Sequence, residues 1–243
     1  MSRFKAAGIH FAISTVIYLL LAYFIILVWY PDILFATDGG WRGMSMIAGV
    51  DLVAGPLLTL IVFKAGKPGL KMDLSFIAAL QTLCLLAGTY VVWSERPLGI
   101  VYVDSRFQVM TRGDYLEVGY PVPVLDRFDD NPRWLQVTVP DDLMAEADLR
   151  KKHAGAAANL ALASERYEKF NPQHPQFKES ARDTQLIAER EGGGAALTAW
   201  IASHGGTLDD YNFYTYSTRY VYRYLGFRAS TGERLGFLDL QPR

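Results

Sequence analysis

Residues 49–63 read GVDLVAGPLLTLIVF, an apolar run that holds a carboxylate at Asp51 and a Gly55-Pro56 pair. A soluble core rarely tolerates an Asp without a partner, and a helix interior rarely accommodates a proline. The apolar character reaches back to Trp41. A segment of about 41 to 63 therefore meets the roughly 20 residues a membrane-spanning helix requires.

Two further runs share that length and character, from Ile9 to Trp29 and from about Leu74 to Trp93. Arg3 and Lys5 precede the first run, as in a signal peptide. No A-x-A-like cleavage site follows it, so it reads as a retained helix. Residues are 51% hydrophobic, with a mean hydropathy of +0.10, and the apolar excess is concentrated in residues 1–97. The expected architecture is a membrane α-helical bundle of three transmembrane helices (spans about 9–29, 41–63 and 74–93) followed by an α+β domain over 98–243.

Short-loop charges set the expected orientation. Arg3 and Lys5 lie before the first span, and Lys64, Lys67 and Lys71 lie between the second and third. The other short loop carries Arg42 beside Asp32 and Asp38. The N-terminus is thus expected in the cytoplasm and residues 98–243 across the membrane, which in a bacterium would be the periplasm. Trp29, Tyr30, Trp41 and Trp93 would then share the outer interface, where amphipathic rings prefer to lie. The single cysteine, Cys84, excludes an intrachain disulfide. A net charge of −1 provides no basic field for nucleic acid.

Asp51 falls near the middle of the second span, where an ionised Asp costs about 2.5–3.5 kcal/mol on insertion scales. Such a residue usually faces a bundle interior. Tyr18, Gln81 and Thr82 lie at similar depth and are candidate partners. Pro56, one turn on, cannot donate to the Leu52 carbonyl, so a kink is expected, and Gly55 permits close helix approach. Asp51, Gly55 and Pro56 would then form a notch within the bilayer. Two roles fit it: a partner-docking site, or a polar clamp that fixes the packing of three helices.

The stretch GVDLVAGPLLTLIVFKAGKPGLKMDL resembles the signature of the TfpX/TfpZ type IV pilin accessory proteins. SRFKAAGIHFAISTVI resembles that family's N-terminus, RPLGIVYVDSRFQVM its entry into the periplasmic domain, and TGERLGFLDLQP, more loosely, its ending. The resemblance implies an inner-membrane, non-catalytic protein that assists a particular major pilin, as a dedicated chaperone or assembly factor. Other pilus assembly components and the lipid bilayer are further implied partners. His10, Asp51, Gly55 and Pro56 match the pattern as positions, without assigned roles.

In residues 98–243, GIVYVDSRFQVMT reads as a hairpin turning at Asp104-Ser105, and WLQVTV (134–139) as a strand. Helix is expected from Pro140-Asp141-Asp142 until Asn171-Pro172, again over about 176–190, and from Ala195 to His204. NFYTYSTRYVYRYLGF reads as strand, and FRASTGERLGFLDL as a hairpin around Ser230-Thr231-Gly232.

Reactive chemistry is sparse here. His153, His174 and His204 are far apart, with no H-E-x-x-H and no cysteine ligands, so neither a metal nor a cofactor is expected. No G-x-S-x-G elbow marks a nucleophile, and the glycines at 192–194 lack the G-K-[ST] of a P-loop. Tyr220, Tyr222 and Tyr224 recur at period two. They fit either a partner-binding face at a sheet edge or aromatics packed under helices. With Asp51, Gly55, Pro56 and Gln81 they complete the candidate partner-binding residues. The competing functional classes are a membrane-anchored periplasmic sensor or enzyme. The sensor lacks a cytoplasmic output module, and the enzyme lacks a recognisable catalytic cluster.

Overall fold

A computed structural model describes residues 1–153, 159–182 and 184–240. The chain divides into two compact units, Met1–Arg96 and Pro97–Arg243.

The first unit contains three helical segments of 27, 23 and 25 residues, each long and apolar enough to cross a membrane. At about 1.5 Å per residue, each exceeds the roughly 30 Å hydrocarbon core. Helix α1 (Arg3–Phe24) is capped by Ser2, whose hydroxyl accepts from the Lys5 N–H at 3.2 Å, and continues into a π-helical turn at Ile25–Trp29. A short helix α2 (Ile33–Thr37) occupies the loop. The second segment is made of α3 (Gly40–Ala48), a π-helical turn (Gly49–Ala54) and α4 (Gly55–Val62). Helix α5 (Leu70–Ser94) is the third. Helix α1 packs along α4, and α5 receives both α3 and α4. The Tyr30 hydroxyl donates to the Val92 carbonyl at 3.0 Å, tying the end of the first segment to the end of the third.

The second unit is an α+β domain around a seven-stranded mixed sheet. Its strands are β1 (Pro97–Val103), β2 (Arg106–Thr111), β3 (Trp134–Val137), β4 (Tyr167–Lys169), β5 (Tyr211–Ser217), β6 (Tyr222–Arg228) and β7 (Arg234–Leu238), in spatial order β4-β3-β1-β2-β5-β6-β7. The β1–β3 and β2–β5 pairs are parallel and the others antiparallel. Asp104 and Ser105 join β1 to β2 with φ of 50° and 62°, the left-handed pair of a tight hairpin. Arg150 holds the Asp104 carboxylate through two bonds of 2.8 and 3.1 Å, which helps keep that backbone in place. Helix α6 (Arg112–Glu117) opens on a Thr111–Asp114 capping box, and α7 (Leu143–Lys152) on Asp142. The remaining helices are α8 (Pro175–Glu179), α9 (Thr184–Ala188) and α10 (Gly193–His204).

Alternation along β1 sends Val101 and Val103 to one face and Tyr102 to the other. Val101 and Val103 join a core with Met110, Tyr115, Leu135, Leu160 and Tyr167. Tyr102 enters an aromatic cluster with Phe107, Phe170, Phe177, Tyr214 and Phe227. Trp200 of α10 lies over Gly226, where a Cβ would come within 2.5 Å of the indole.

The helical expectations for this domain need correction. The stretch from 141 to 170 is not one helix. Residues α7 covers are helical, Ala154–Ala158 lie outside the described residues, and two 3₁₀ turns at Leu160–Leu162 and Ser164–Arg166 lead into strand β4. Local propensity favours helix there, but burying Leu160, Ala161 and Tyr167 and pairing Tyr167 with Val137 outweighs it. The 176–190 stretch is likewise broken into α8 and α9, because the Arg182 N–H bonds the Phe213 carbonyl at 2.7 Å. Asp183 of that stretch, and Gln241 and Pro242 of the C-terminal motif, lie outside the described residues.

Candidate functional site

The second membrane segment changes helical register at Asp51. In the turn Gly49–Ala54, hydrogen bonds close over five residues, ending with the Gly55 N–H on the Val50 carbonyl. A regular α-helix would bring the Pro56 ring against the Leu52 carbonyl, which would also lose its donor. The wider turn adapts the chain before that proline, and α4 restarts with Pro56 in its first turn. The π-turn lies over Gly49–Ala54, just before the Gly55-Pro56 pair where a kink is expected, and the helix from Gly55 onward is regular.

Asp51 is buried, at 5% exposure, and its Oδ2 receives no hydrogen bond among the described residues. The same is true of Gln81 Oε1 on α5. Gly55 is what admits Gln81: a Cβ on residue 55 would lie 1.7 Å from Gln81 Nε2. Asp51 and Gln81 line one cavity of about 150 Å³ with Ser14, His10 and Thr82. His10 Nδ1 and Thr59 Oγ1 lie 2.6 Å apart and link α1 to α4, while Thr82 Oγ1 donates within its own helix to Ala78 at 2.9 Å.

The depth estimate that named Tyr18 is not met by the packing. From the first helix, the residues lining the cavity are His10, Ile13, Ser14 and Ile17. His10 and Ser14 lie four residues apart and share a helix face, and that spacing was the sequence signal for the cavity wall.

Asp51 also borders an apolar cleft of about 330 Å³ between the second and third segments. Gly43, Ile47, Cys84, Ala87 and Gly88 contribute to its walls. Cys84 is a free, exposed thiol. Small residues on facing helices allow a backbone to approach closely.

The three tyrosines do not share one environment. Tyr220 (43% exposed) lies in the turn closed by the Thr218 N–H on the Val221 carbonyl at 2.8 Å, and Tyr222 (45%) begins β6. Tyr224 (2%) is buried with Trp200, Tyr211 and Phe213. Strand β6 is also interior, flanked by β5 and β7, so these residues have no free sheet edge to offer.

A polar cavity of about 360 Å³ near the β1–β2 turn is lined by Asp104, Asp141, Glu146, Arg150 and Ser180 among others. Its one cation is engaged, since Arg150 bonds both Asp104 and Glu146, and these bonds raise its pKa. No group of three or more His, Cys, Asp or Glu side chains among the described residues is placed to hold a metal.

Comparison with known proteins adds to this geometry. The family model "Fimbrial assembly protein FimB" matches residues 1–32. The chain is 36% identical over 115 residues to the fimbrial assembly protein, serogroup I, of Dichelobacter nodosus, covering 46% of this chain and 44% of that protein. Identity to the serogroup E1 protein of the same organism is 35%, again covering 44% of that protein. Identity to the serogroups C1 and C2 protein is 34%, covering 87% of it. The match therefore spans less than half the length of the first two relatives and most of the third. No solved structure matches the chain.

Proposed function

This chain belongs to the family of fimbrial assembly proteins, and from that premise we propose that it is an inner-membrane accessory factor for a type IV pilin, of the TfpX/TfpZ kind. Its role is non-catalytic. The membrane bundle holds the apolar helix of the major pilin, and the α+β domain, on the periplasmic side, contacts the pilin's globular part. The five cations of the N-terminus and the second short loop support that orientation.

The observation that carries this reading is the polar break in the second span. A buried acid, a π-turn and a glycine that admits Gln81 sit beside an apolar cleft. Polar groups in a membrane segment are costly to maintain and mark functional sites by default.

Photo-crosslinking tests it. Probes placed at Met46 and Val91, which line the cleft and are exposed, should capture co-expressed pilin. Probes at Leu19 and Leu20, exposed on α1, serve as lipid-facing controls. Pilin captured equally from both sets, or from neither, would refute the proposal.

A further inference from the structure

Four side chains around the smaller cavity of the bundle keep hydrogen-bonding capacity that the packing does not use. Asp51 makes no side-chain hydrogen bond among the described residues. Gln81 brings an unpaired carbonyl oxygen and its amide, Ser14 a hydroxyl, and His10 its Nε2, the Nδ1 being taken by Thr59. The Thr82 hydroxyl is occupied within its own helix. The set therefore mixes donors (the Ser14 hydroxyl, the Gln81 amide) with acceptors (Asp51, Gln81 Oε1), and His10 Nε2 is either one according to its tautomer.

Three occupants compete for this space. Hydrocarbon leaves every one of these groups bare, which is costly. A direct bond from Ser14 or the Gln81 amide to Asp51 pairs two groups and leaves the others over. Water both donates and accepts, so it suits a mixed lining in either protonation state of Asp51. A volume of about 150 Å³ has room for several waters, at about 30 Å³ each. The wall is also graded along the bundle. His10, about 10 Å along α1 from Arg3, is polar and nearest the N-terminal end, whereas Ile17 and Leu85 close the opposite end with apolar side chains.

We propose that this cavity is a hydrated crevice, open to the aqueous phase on the side of the N-terminus and closed to the other, so that water reaches Asp51 within the membrane from one side only. The acid then exchanges its proton with that side without a passage through hydrocarbon. Of the other side chains lining the two cavities that Asp51 borders, His10 and Cys84 are the titratable ones. The crevice does not depend on which helix the bundle holds.

Cysteine accessibility tests it. A thiol in water ionises and reacts with a charged methanethiosulfonate, whereas a thiol in apolar surroundings stays protonated and inert. The full chain carrying Cys84→Ala is placed in sealed membrane vesicles, and the impermeant reagent is added to one side at a time. Ser2→Cys reports the side of the N-terminus, and Val124→Cys, on an exposed residue of the α+β domain, reports the other. Ser14→Cys should react about tenfold faster or more than Val16→Cys, which is exposed on α1 at similar depth but outside the cavity lining. It should do so only from the side that labels Ser2→Cys. A rate no higher than that of Val16→Cys means a dry cavity and overturns the proposal, as does labelling from the Val124→Cys side. Asp51→Cys should follow Ser14→Cys, and a rate at the Val16→Cys level overturns the claim that water reaches residue 51. If Asp51→Cys fails to accumulate in the membrane, the near-isosteric Ser14→Cys decides. Because the labelling is read on this chain alone, pilin capture can fail while the crevice stands, and a dry cavity leaves the pilin reading intact.

Discussion

Gly55 and Gln81 are a matched pair: the Gln81 carboxamide fills the space a side chain on residue 55 would occupy, with Nε2 1.7 Å from the position of that missing Cβ. The glycine of the second span and the glutamine of the third thus depend on each other. Gly55→Ala should displace the amide. The cost should be about 1 kcal/mol, at the low end of overpacking penalties, because the displaced atoms end a flexible side chain. Gln81→Ala in the same chain should recover most of that loss. Thermal unfolding in detergent of both single variants and the double variant measures it, and additive losses would show that the two residues do not compete.

His10 and Thr59 form the polar link between the first and second spans, at 2.6 Å. Removing either should destabilise the bundle by about 0.6 kcal/mol, a typical interhelical hydrogen bond in a membrane. His10→Ala with Thr59→Val should cost little more than one of them alone. A double-mutant cycle reads the coupling directly, and zero coupling would mean that the bond contributes nothing.

In the α+β domain, Tyr167 donates to the Ala161 carbonyl, so Tyr115 must donate to the Tyr167 oxygen, 2.5 Å away. Tyr167→Phe strips a donor from one buried group and an acceptor from another, and should cost about 1–3 kcal/mol. Tyr115→Phe loses one bond and should cost about 1 kcal/mol. Urea denaturation of the full chain, followed by tryptophan fluorescence, should rank them in that order.

The same pair sets an alkaline limit. Burial, which outweighs its bond to Tyr167, pushes the Tyr115 hydroxyl up to about 12 from an ordinary value of 10.0. A folded-state pKa raised in this way contributes stability below the unfolded value, and that contribution disappears as pH rises from about 10 towards 12. Tyrosinate absorbance should therefore lag in the native protein, and Tyr115→Phe should flatten the loss of stability over that window.

Glu165 gives the acid counterpart. Burial opposes its ionised form, but hydrogen bonds from Lys152, its own backbone N–H and His153 outweigh burial and hold the carboxyl at about 2. A lowered pKa stabilises the fold above the ordinary 4.5, and the contribution disappears as pH falls towards 2. The side chain is 45% exposed, so solvent screens the pairing and the effect is small. Glu165→Gln should lose less stability than the wild type across that interval in acid denaturation, and equal losses would refute the assignment.

What could be read in the chain and what could not divides by the range of the interactions involved. The three membrane helices follow from continuous apolar length, a local property. The β1–β2 hairpin follows from alternation and an Asp-Ser turn. The Ser164–Phe170 stretch reads as helix from its residues, yet Tyr167–Lys169 pairs with Trp134–Val137 as a strand. That pairing joins segments about thirty residues apart, and no local propensity encodes it.

At the candidate site, the sequence by itself determined that Asp51 would be buried in a bilayer-length helix beside a proline, because apolar length and the missing proline N–H are fixed by composition alone. Only the tertiary structure decided what surrounds it. Packing of three helices chose His10 and Ser14 over Tyr18, placed Gln81 against Gly55, and opened the cleft at Cys84. It also separated Tyr224 from Tyr220 and Tyr222, since the core beneath Trp200 takes the one and leaves the others exposed. Depth along a helix is set by residue count. The face a residue presents depends on how the helices rotate against one another, and that is settled by side chains distant in sequence.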